Sequence, residues 1–273
     1  PDDDVISMGG TFIRLVDQGH DVHVAYQTSG NTAVWDDDAL RFVEFARDFS
    51  KSIDLDTNKL EELYVSMRKF MENKQPNQAD TSEIQTLKGL IRKGEATSGA
   101  RFAGLNDDHI HFMALPFYDR GKTNRKPVDE DDIRITMELL DKIKPHQVFA
   151  AGDFADPHGT HKVCFDIIIK ALERLKDKEW VKDCWLWLYR GAWHEFETHE
   201  IQMAVPLSPQ EVERKRLAIF KHQSQKDIPV FPGDDAREFW VRAEDRTRET
   251  AKAYDKLGLA EYEAMEAFVR WEF

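Results

Sequence analysis

Residues 147–175 read QVFAAGDFADPHGTHKVCFDIIIKALERL and decide the fold class of this chain. Gln147–Ala151 is a short apolar run with the length of a buried strand, and Gly159–Leu175 repeats apolar residues at helical spacing. The loop between them carries His158 and His161. A strand that leads through a polar loop into a helix is the unit of an α/β protein, in which ligand sites lie where strands end.

Strands and helices alternate along the rest of the chain as well. Apolar periodicity and turn residues predict strands at residues 21–28, 109–115, 147–151, 184–189 and 200–205. They predict helices at residues 3–19, 37–49, 53–71, 82–103, 129–143, 159–175 and 209–222, and a charged helical tail after Pro232. The sequence therefore predicts an α/β fold, a Rossmann-like three-layer sandwich with a mainly parallel sheet, in which Val22–Tyr26 and Gln147–Ala151 are interior strands.

The chain begins with Pro1 and three aspartates, Asp2, Asp3 and Asp4, directly before an apolar helical stripe. A hydrolytic metal site needs one carboxylate and one or more imidazoles to bind the cation, and a second carboxylate that stays free to take up protons. Adjacent aspartates before one helix and a histidine pair before another supply these parts. Together they indicate a metal-dependent hydrolase.

The placement of these residues in the predicted fold supports the same conclusion. Asp2 and Asp3 would occupy a strand-to-helix loop, as His158 and His161 do, so all four would converge on one edge of the sheet. The strand that should precede Asp2 is not in this sequence. We therefore expect the first strand to be missing and the natural polypeptide to extend N-terminally.

Composition limits the classes of function. With 273 residues, 41% of them hydrophobic, the chain is long enough for one large domain with a sizeable core. A net charge of −13 argues against binding nucleic acid or an anionic membrane, because both attract basic surfaces. Cys164 and Cys184 lie in apolar contexts, which indicates buried thiols in a reducing, cytoplasmic compartment, with a disulfide as the alternative.

The opening Pro1-Asp2-Asp3-Asp4 resembles the end of the His-Pro-Asp-Asp-Glu/Asp signature of the PIG-L/LmbE-like zinc deacetylases, which remove acetyl groups from N-acetylglucosaminyl substrates. Four further segments resemble family motifs in the family's order: Thr28-Ser29-Gly30, Arg92-x-x-Glu95-Ala96 with Ala100 and Leu105, Lys144-Pro145, and His222-x-Ser224-Gln225. The resemblance spans residues 1–225, an N-terminally truncated deacetylase domain. It leaves residues 226–273 as a C-terminal helical extension packed on the same domain.

More narrowly, the chain resembles the C-terminal part of bacterial two-part proteins called glucosamine-6-phosphate deaminases. In these proteins a deaminase-like region precedes a deacetylase-like one, so the resemblance implies an N-terminal deaminase-like region of the same polypeptide as a partner. It also implies Zn²⁺ as the cofactor and a small amino sugar as the substrate, and it leaves association into a homo-oligomer open.

The resemblance implies a role for each matching residue. Asp3 and His161 would bind Zn²⁺, and Asp2 would be the general base. His158 would stabilise the developing oxyanion or protonate the leaving amine, and Arg92 would contact the sugar.

The chain departs from the family pattern in two places. The histidine that would supply the third zinc ligand stands just before Pro1 and is not in this sequence. The family's His-Pro-Asp-His is replaced by His158-Gly159-Thr160-His161, which lacks an aspartate on which the orientation of His158 depends. Asp156 or Asp153 could replace that carboxylate.

Each site residue also has a simpler interpretation. Asp2 and Asp3 could only cap a helix, since carboxylates are favoured at helix N-termini. His158 and His161 could be ordinary loop and cap histidines, and Arg92 could be a solvated helix arginine. The order of the family motifs favours the functional interpretation for all five.

The remaining histidines are interpreted as structural or surface residues, and His222 is left open between supporting the site and capping its helix. The others are His20, His23, His109, His111, His146, His194 and His199, of which His194 beside Trp193 could lie at the rim of the site.

Three hypotheses for function follow. The first is a zinc-dependent hydrolase that removes an acetyl group from an N-acetylglucosamine-type amino sugar. The second is a catalytically weak accessory module of a larger glucosamine-6-phosphate deaminase-like protein in amino-sugar metabolism. The third, that the chain itself performs the deaminase reaction, has no motif in its support.

Overall fold

The computed structural model describes the chain except for residue 77 and residues 120–126, 155–158, 192–193, 228–234 and 236. Its helices are α1 (Asp3–Asp17), α2 (Asp36–Ser52), α3 (Asn58–Glu72), α4 (Ser82–Phe102), α5 (Pro116–Asp119), α6 (Glu130–Ile143), α7 (Thr160–Leu175), α8 (Glu179–Lys182), α9 (Pro209–Ile219) and α10 (Phe239–Lys256). Its strands are β1 (Val24–Tyr26), β2 (Ile110–Phe112), β3 (Gln147–Ala151), β4 (Trp185–Tyr189), β5 (Met203–Leu207) and β6 (Ala264–Trp271). Among these helices, none is both long enough and apolar enough to cross a membrane.

The strands form two sheets, and the α/β class is confirmed. β1 pairs with β2 in parallel, and the second sheet has the order β3-β4-β6-β5. β3 and β4 are parallel, whereas β6 runs antiparallel to both β4 and β5. In the described part of the chain, β1 and β3 each pair on one side only, so the expectation that both are interior strands of one sheet is wrong.

The C-terminal segment differs most from the sequence-based prediction. Its helix is present as α10, but residues 264–271 form β6, so the expectation of a wholly helical extension is wrong there. The segment Ala-Met-Glu-Ala at its start consists of good helix formers, and its conformation is set by pairing with β4 and β5 instead. The proposed boundary at residue 225 stays a prediction.

A buried ion pair joins β6 to α9, and its carboxylate also binds the helix that carries the aspartates. Glu266 and Lys215 lie 2.7 Å apart with about 1% or less of either side chain exposed. Glu266 also accepts hydrogen bonds from the backbone N–H of Gly10 and from both the N–H and the hydroxyl group of Thr11. The charge of Glu266 is thereby compensated on both oxygens, which is what makes a buried carboxylate tolerable in this strand.

Helix α1 lies in the main apolar core. Val5, Ile6 and Ile13 are buried there together with Phe268 of β6. At Gly10 the helix approaches β5 so closely that a Cβ atom would lie 2.6 Å from the side chain of Leu207. This packing holds the N-terminal end of α1, with its aspartates, in a defined place.

Candidate active site

Asp2 adopts a backbone conformation that is unfavourable for a residue other than glycine, with φ 99° and ψ −31°. Its carbonyl oxygen accepts hydrogen bonds from Val5 N–H and Ile6 N–H at the start of α1. Its side chain makes no capping hydrogen bond and instead lies 3.1 Å from the guanidinium group of Arg92. Helix capping therefore does not explain the Asp2 carboxylate, and strain of this kind is typical of functional sites.

Asp3 and His161 lie 158 residues apart in sequence and meet in space. Their Oδ2 and Nε2 atoms are 3.0 Å apart. His161 stands in the first turn of α7, which begins after Gly159 in a left-handed conformation. Its Nδ1–H donates to the backbone carbonyl of Asp153 at 2.9 Å, at the end of β3. The structure thus brings together the two residues that the sequence predicts as metal ligands.

The hydrogen bond to Asp153 determines what the other ring nitrogen can do. A carbonyl oxygen can only accept, so the proton of neutral His161 is on Nδ1 and the lone pair is on Nε2. That lone pair then points at the negatively charged carboxylate of Asp3, an arrangement that a cation between the two atoms stabilises. Two ligands of a tetrahedral zinc ion with bonds of about 2.0–2.1 Å are roughly 3.3 Å apart, close to the distance found here.

The two donors therefore fit a divalent metal ion, and they are reachable from solvent. The side chain of Asp3 is 33% exposed and that of His161 is 13% exposed. A backbone carbonyl that fixes the tautomer of a histidine is a common support of metal-binding imidazoles.

His158 and Asp156 lie in residues 155–158, and Trp193 lies in residues 192–193. Both ranges are outside the described residues. The proposed roles of His158 and Asp156 stay predictions. Asp153, the other candidate replacement for the missing aspartate, supports His161 through its carbonyl group, and its carboxylate accepts a hydrogen bond from His194 N–H at 2.8 Å.

Arg92 of α4 is only 2% exposed, which excludes the interpretation as a solvated helix arginine. Besides Asp2, it contacts the carbonyl oxygen of Pro1 and lies 3.6 Å from Glu95 one turn along the helix. Gly30 permits this arrangement, because it has φ +67° and a Cβ atom there would lie 2.9 Å from Nε of Arg92. The assignment of Arg92 to the sugar stays a prediction, and in the structure its guanidinium group supports Asp2.

The late motif residues lie behind Arg92. Both oxygens of Glu95 accept hydrogen bonds from Ser224, one from the backbone N–H and one from the hydroxyl, each at 2.7 Å. Gln225 donates to the carbonyl oxygen of Ala33, close to the Gly30 turn. These residues form a buried support for the Arg92–Asp2 contact.

His222 is fully buried against α4, where a Cβ atom on Gly99 would lie 2.8 Å from Nε2 of His222. Burial lowers the pKa of His222 well below its ordinary value, and the nearby charge of Arg92 lowers it further. Within the described residues, neither ring nitrogen has a hydrogen-bond partner. His222 therefore packs as a neutral ring behind the site.

Asp2 and Asp4 differ in the side chain that each contacts, Arg92 for Asp2 and Tyr26 for Asp4. Burial raises the pKa of Asp2, while Arg92 acts in the opposite direction. Burial also raises the pKa of Asp4, which accepts a hydrogen bond from the hydroxyl group of Tyr26 at 2.8 Å. A buried carboxylate with a raised pKa, held next to a possible metal ligand, is suited to accept a proton in a reaction.

Sequence reasoning did not single out Tyr26 and Tyr189. Tyr26 ends β1, and Tyr189 ends β4 close to Asp3 and Asp4, whose charges add to burial in raising its pKa. The rule that ligand sites lie beyond the carboxyl ends of strands would have identified both tyrosines.

An α/β fold that joins a carboxylate and an imidazole beside a second, partly buried carboxylate has the parts of a hydrolytic metal site. Residues 1–172 match the PIG-L family, described as GlcNAc-PI de-N-acetylase, and the chain belongs to this family.

Similar proteins include a glucosamine-6-phosphate deaminase-like protein of Bacteroides thetaiotaomicron, which is 52% identical over 99% of this chain. The chain spans 41% of that relative's length. Among solved structures, GalB, the 4-carboxy-2-hydroxymuconate hydratase of Pseudomonas putida KT2440, has a TM-score of 0.60 at 12% identity, covering 100% of this chain and 92% of that one. A deacetylase of teicoplanin biosynthesis has a TM-score of 0.53 at 14% identity, covering 99% and 95%. Likeness at these identities shows the fold alone.

Proposed function

We propose that this chain is a zinc-dependent N-deacetylase domain that removes the acetyl group from an N-acetylglucosamine-type amino sugar. The observation that carries the proposal is the approach of Asp3 and His161 to 3.0 Å, with the His161 tautomer set by Asp153 and the Asp2 carboxylate, 15% exposed, alongside. Membership of a family described as GlcNAc-PI de-N-acetylase supports both the reaction and the sugar.

Each residue then has one task in the hydrolysis. Zn²⁺ held by Asp3 and His161 would polarise the acetyl carbonyl and make a water molecule more acidic. Asp2 takes a proton from the attacking water, whose oxygen forms the new bond to the carbonyl carbon. The carbon–nitrogen bond then breaks as nitrogen takes up a second proton, for which His158 is the proposed donor. The proton on Asp2 passes to solvent, His158 is reprotonated from solvent, and the products are acetate and the free amine.

Arg92 acts on the reaction through Asp2. Its contact with the carboxylate sets the direction of Asp2 and opposes the effect of burial on the Asp2 pKa. A direct contact of Arg92 with the sugar would require a movement that exposes the guanidinium group, which is now 2% exposed.

The Bacteroides relative supports a two-part arrangement. Its name refers to a glucosamine-6-phosphate deaminase, and this chain corresponds to 41% of its length. A deacetylase releases the free amino sugar that a deaminase consumes, so the two activities fit one polypeptide. We propose that the deaminase-like region is the remainder of such a polypeptide and that this chain supplies the deacetylase.

The test is acetate release by the full-length protein from N-acetylglucosamine, its 6-phosphate and its simple glycosides, with bound metal measured on the same samples. We expect acetate from at least one substrate, loss of activity with a chelator and recovery with Zn²⁺. Metal-loaded protein that binds amino sugars but releases no acetate would contradict the proposal and favour the accessory-module hypothesis.

A further inference from the structure

A second group of metal-binding side chains lies at the other end of β1 from the candidate active site. Asp21 and His23 precede β1, and His109 precedes β2. Each of these three residues offers one ligand atom, and the three atoms lie within 4.8 Å of one another. We call Asp21, His23 and His109, with the adjoining Asp108 and His111, the histidine cluster.

The two ends of β1 are well separated. The C-terminal end leads to Gly30, which contacts Arg92 beside Asp2. Helix α1 runs from Asp3 to Asp17, and the chain then turns back through Asp21 into β1. Helix α1 is kinked at Met8, and its 15 residues span at most roughly 20 Å, so the histidine cluster follows the end of the helix away from Asp3.

Two of the three distances within the cluster match those between ligands of one ion, and the two imidazole nitrogens lie within 4.8 Å of each other. Oδ1 of Asp21 lies 3.0 Å from Nε2 of His109 and 3.4 Å from Nε2 of His23. Ligands of a tetrahedral site with bonds of about 2.0–2.1 Å are roughly 3.3 Å apart. One carboxylate oxygen and two imidazole nitrogens therefore already converge at the right spacing.

The second nitrogen of each ring has a partner of its own. Nδ1 of His109 lies 3.3 Å from the carboxylate of Asp108, and Nδ1 of His23 lies 3.1 Å from Nε2 of His111. A neutral imidazole has a single N–H, and His109 stands between two carboxylates that can only accept. With Nδ1–H of His109 donating to Asp108, its Nε2 lone pair faces Asp21, an arrangement that a cation between the two atoms would stabilise.

From this geometry we propose that Asp21, His23 and His109 bind a divalent transition-metal ion of the zinc type, outside the deacetylase centre. Two imidazoles and one carboxylate select such an ion over Mg²⁺ or Ca²⁺, which prefer oxygen ligands alone. Asp108 and His111 orient the rings. The ion links the starts of β1 and β2, which are strands of three residues each.

The surroundings allow an ion to enter. The side chain of Asp21 is 79% exposed, while His23 and His109 are 19% and 27% exposed.

The experiment uses the full-length polypeptide with His161→Ala, so that the candidate active site does not compete for metal. Zn²⁺ is titrated by calorimetry, and Co²⁺ is added separately to detect tetrahedral coordination by its visible absorption. We expect His23→Ala and His109→Ala each to abolish one equivalent of bound metal. The exposed His199→Ala serves as the matched control and should retain it.

A milder variant keeps the test decisive if those two fold poorly. Asp108→Asn removes only the partner of His109 and should weaken Zn²⁺ binding by roughly 10–100-fold. Without metal, the melting temperature of Asp108→Asn should match that of the parent protein. Added Zn²⁺ should raise the melting temperature of the parent by more than it raises that of Asp108→Asn. Equal metal content and equal affinity in all four variants would overturn the proposal.

Discussion

The candidate active site and the histidine cluster use the same kinds of donor in different settings. At the candidate active site, Asp3 and His161 come from distant parts of the chain, and a third group, the Asp2 carboxylate with 15% of its side chain exposed, stands beside them. In the histidine cluster the donors come from the segments just before two paired strands, and Asp21 is 79% exposed. The carboxylate outside the donors is largely shielded from water in the first group, whereas in the second group that carboxylate, Asp108, is 79% exposed, so only the first resembles a site built for proton transfer. The second can hold an ion.

The largest expected effect tests that distinction directly. Asp2→Asn should retain bound metal but lower turnover by roughly 10²–10⁴-fold, because it removes a general base. Asp3→Ala and His161→Ala should instead lose the metal and most of the activity. Bound zinc and acetate release, measured on the same samples, separate the two outcomes.

His199→Ala is the control for these variants, since it changes an exposed histidine outside both groups. Unchanged turnover in Asp2→Asn would show that Asp2 is not a general base. The candidate active site and the histidine cluster would then not differ in their capacity for proton transfer.

The second prediction concerns the buried ion pair between Lys215 of α9 and Glu266 of β6. Lys215→Met leaves the Glu266 carboxylate buried without its cation, held only by hydrogen bonds from α1, and should lower the free energy of unfolding by about 3–5 kcal/mol. Denaturant unfolding measures this change. Lys226→Met, which removes a partner of the exposed pair with Asp227, should cost less than about 1 kcal/mol. Similar losses in both variants would show that the burial of Lys215 does not matter.

The third prediction concerns the position of Arg92. Gly30→Ala places a methyl group 2.9 Å from the Arg92 side chain, so the contact of Arg92 with Asp2 should shift. We expect kcat to fall by up to about 100-fold and KM to rise by a smaller factor. Gly258→Ala carries the same left-handed strain, about 1–2 kcal/mol, in open space. It should lose similar stability and keep its turnover, and a matching fall in kcat would contradict a specific role for Gly30.

The smallest effect is a pH dependence of stability near the His194 loop. Burial raises the pKa of Glu195 from 4.5 to about 7. The unfolded chain ionises Glu195 at the lower value, so this group makes the free energy of unfolding fall as the pH rises from about 4.5 to about 7. Glu195→Gln lacks this decrease, so its stability relative to the parent protein should rise across that interval.

Thermal unfolding at pH 5 and pH 8 measures the difference between Glu195→Gln and the parent. Glu197→Gln, on an exposed side chain two residues away, is the matched control. A stability difference that does not change with pH would show that Glu195 is not held protonated by burial.

Local pattern was sufficient for most helices and for the candidate metal ligands Asp3 and His161. Helix α9 begins at Pro209 as predicted, and α7 begins within one residue of its predicted start. The convergence of Asp3 with His161 was predicted because residues in strand-to-helix loops meet at one edge of an α/β fold.

Pairing between segments distant in sequence explains why the sequence did not predict β6 or the histidine cluster. β6 has a helix-forming start, and its conformation depends on β4, β5 and the charge of Lys215. The three histidines of the cluster were interpreted as structural or surface residues, because the sequence does not reveal the register that pairs Val24 with Ile110. That register brings His23 next to His109 and His111.

The sequence by itself determined the α/β class, the resemblance to a deacetylase family and the identity of Asp3 and His161 as partners. Apolar periodicity and the order of motifs are properties of the linear sequence and can be recognised without the fold. Only the tertiary structure decided the direction of the Asp2 carboxylate, the burial of Arg92 and the meeting of Asp21 with two histidines. Those outcomes depend on packing between segments far apart in sequence. This packing determines how far each charged group is desolvated and which charged groups lie close together, and no local sequence pattern encodes either.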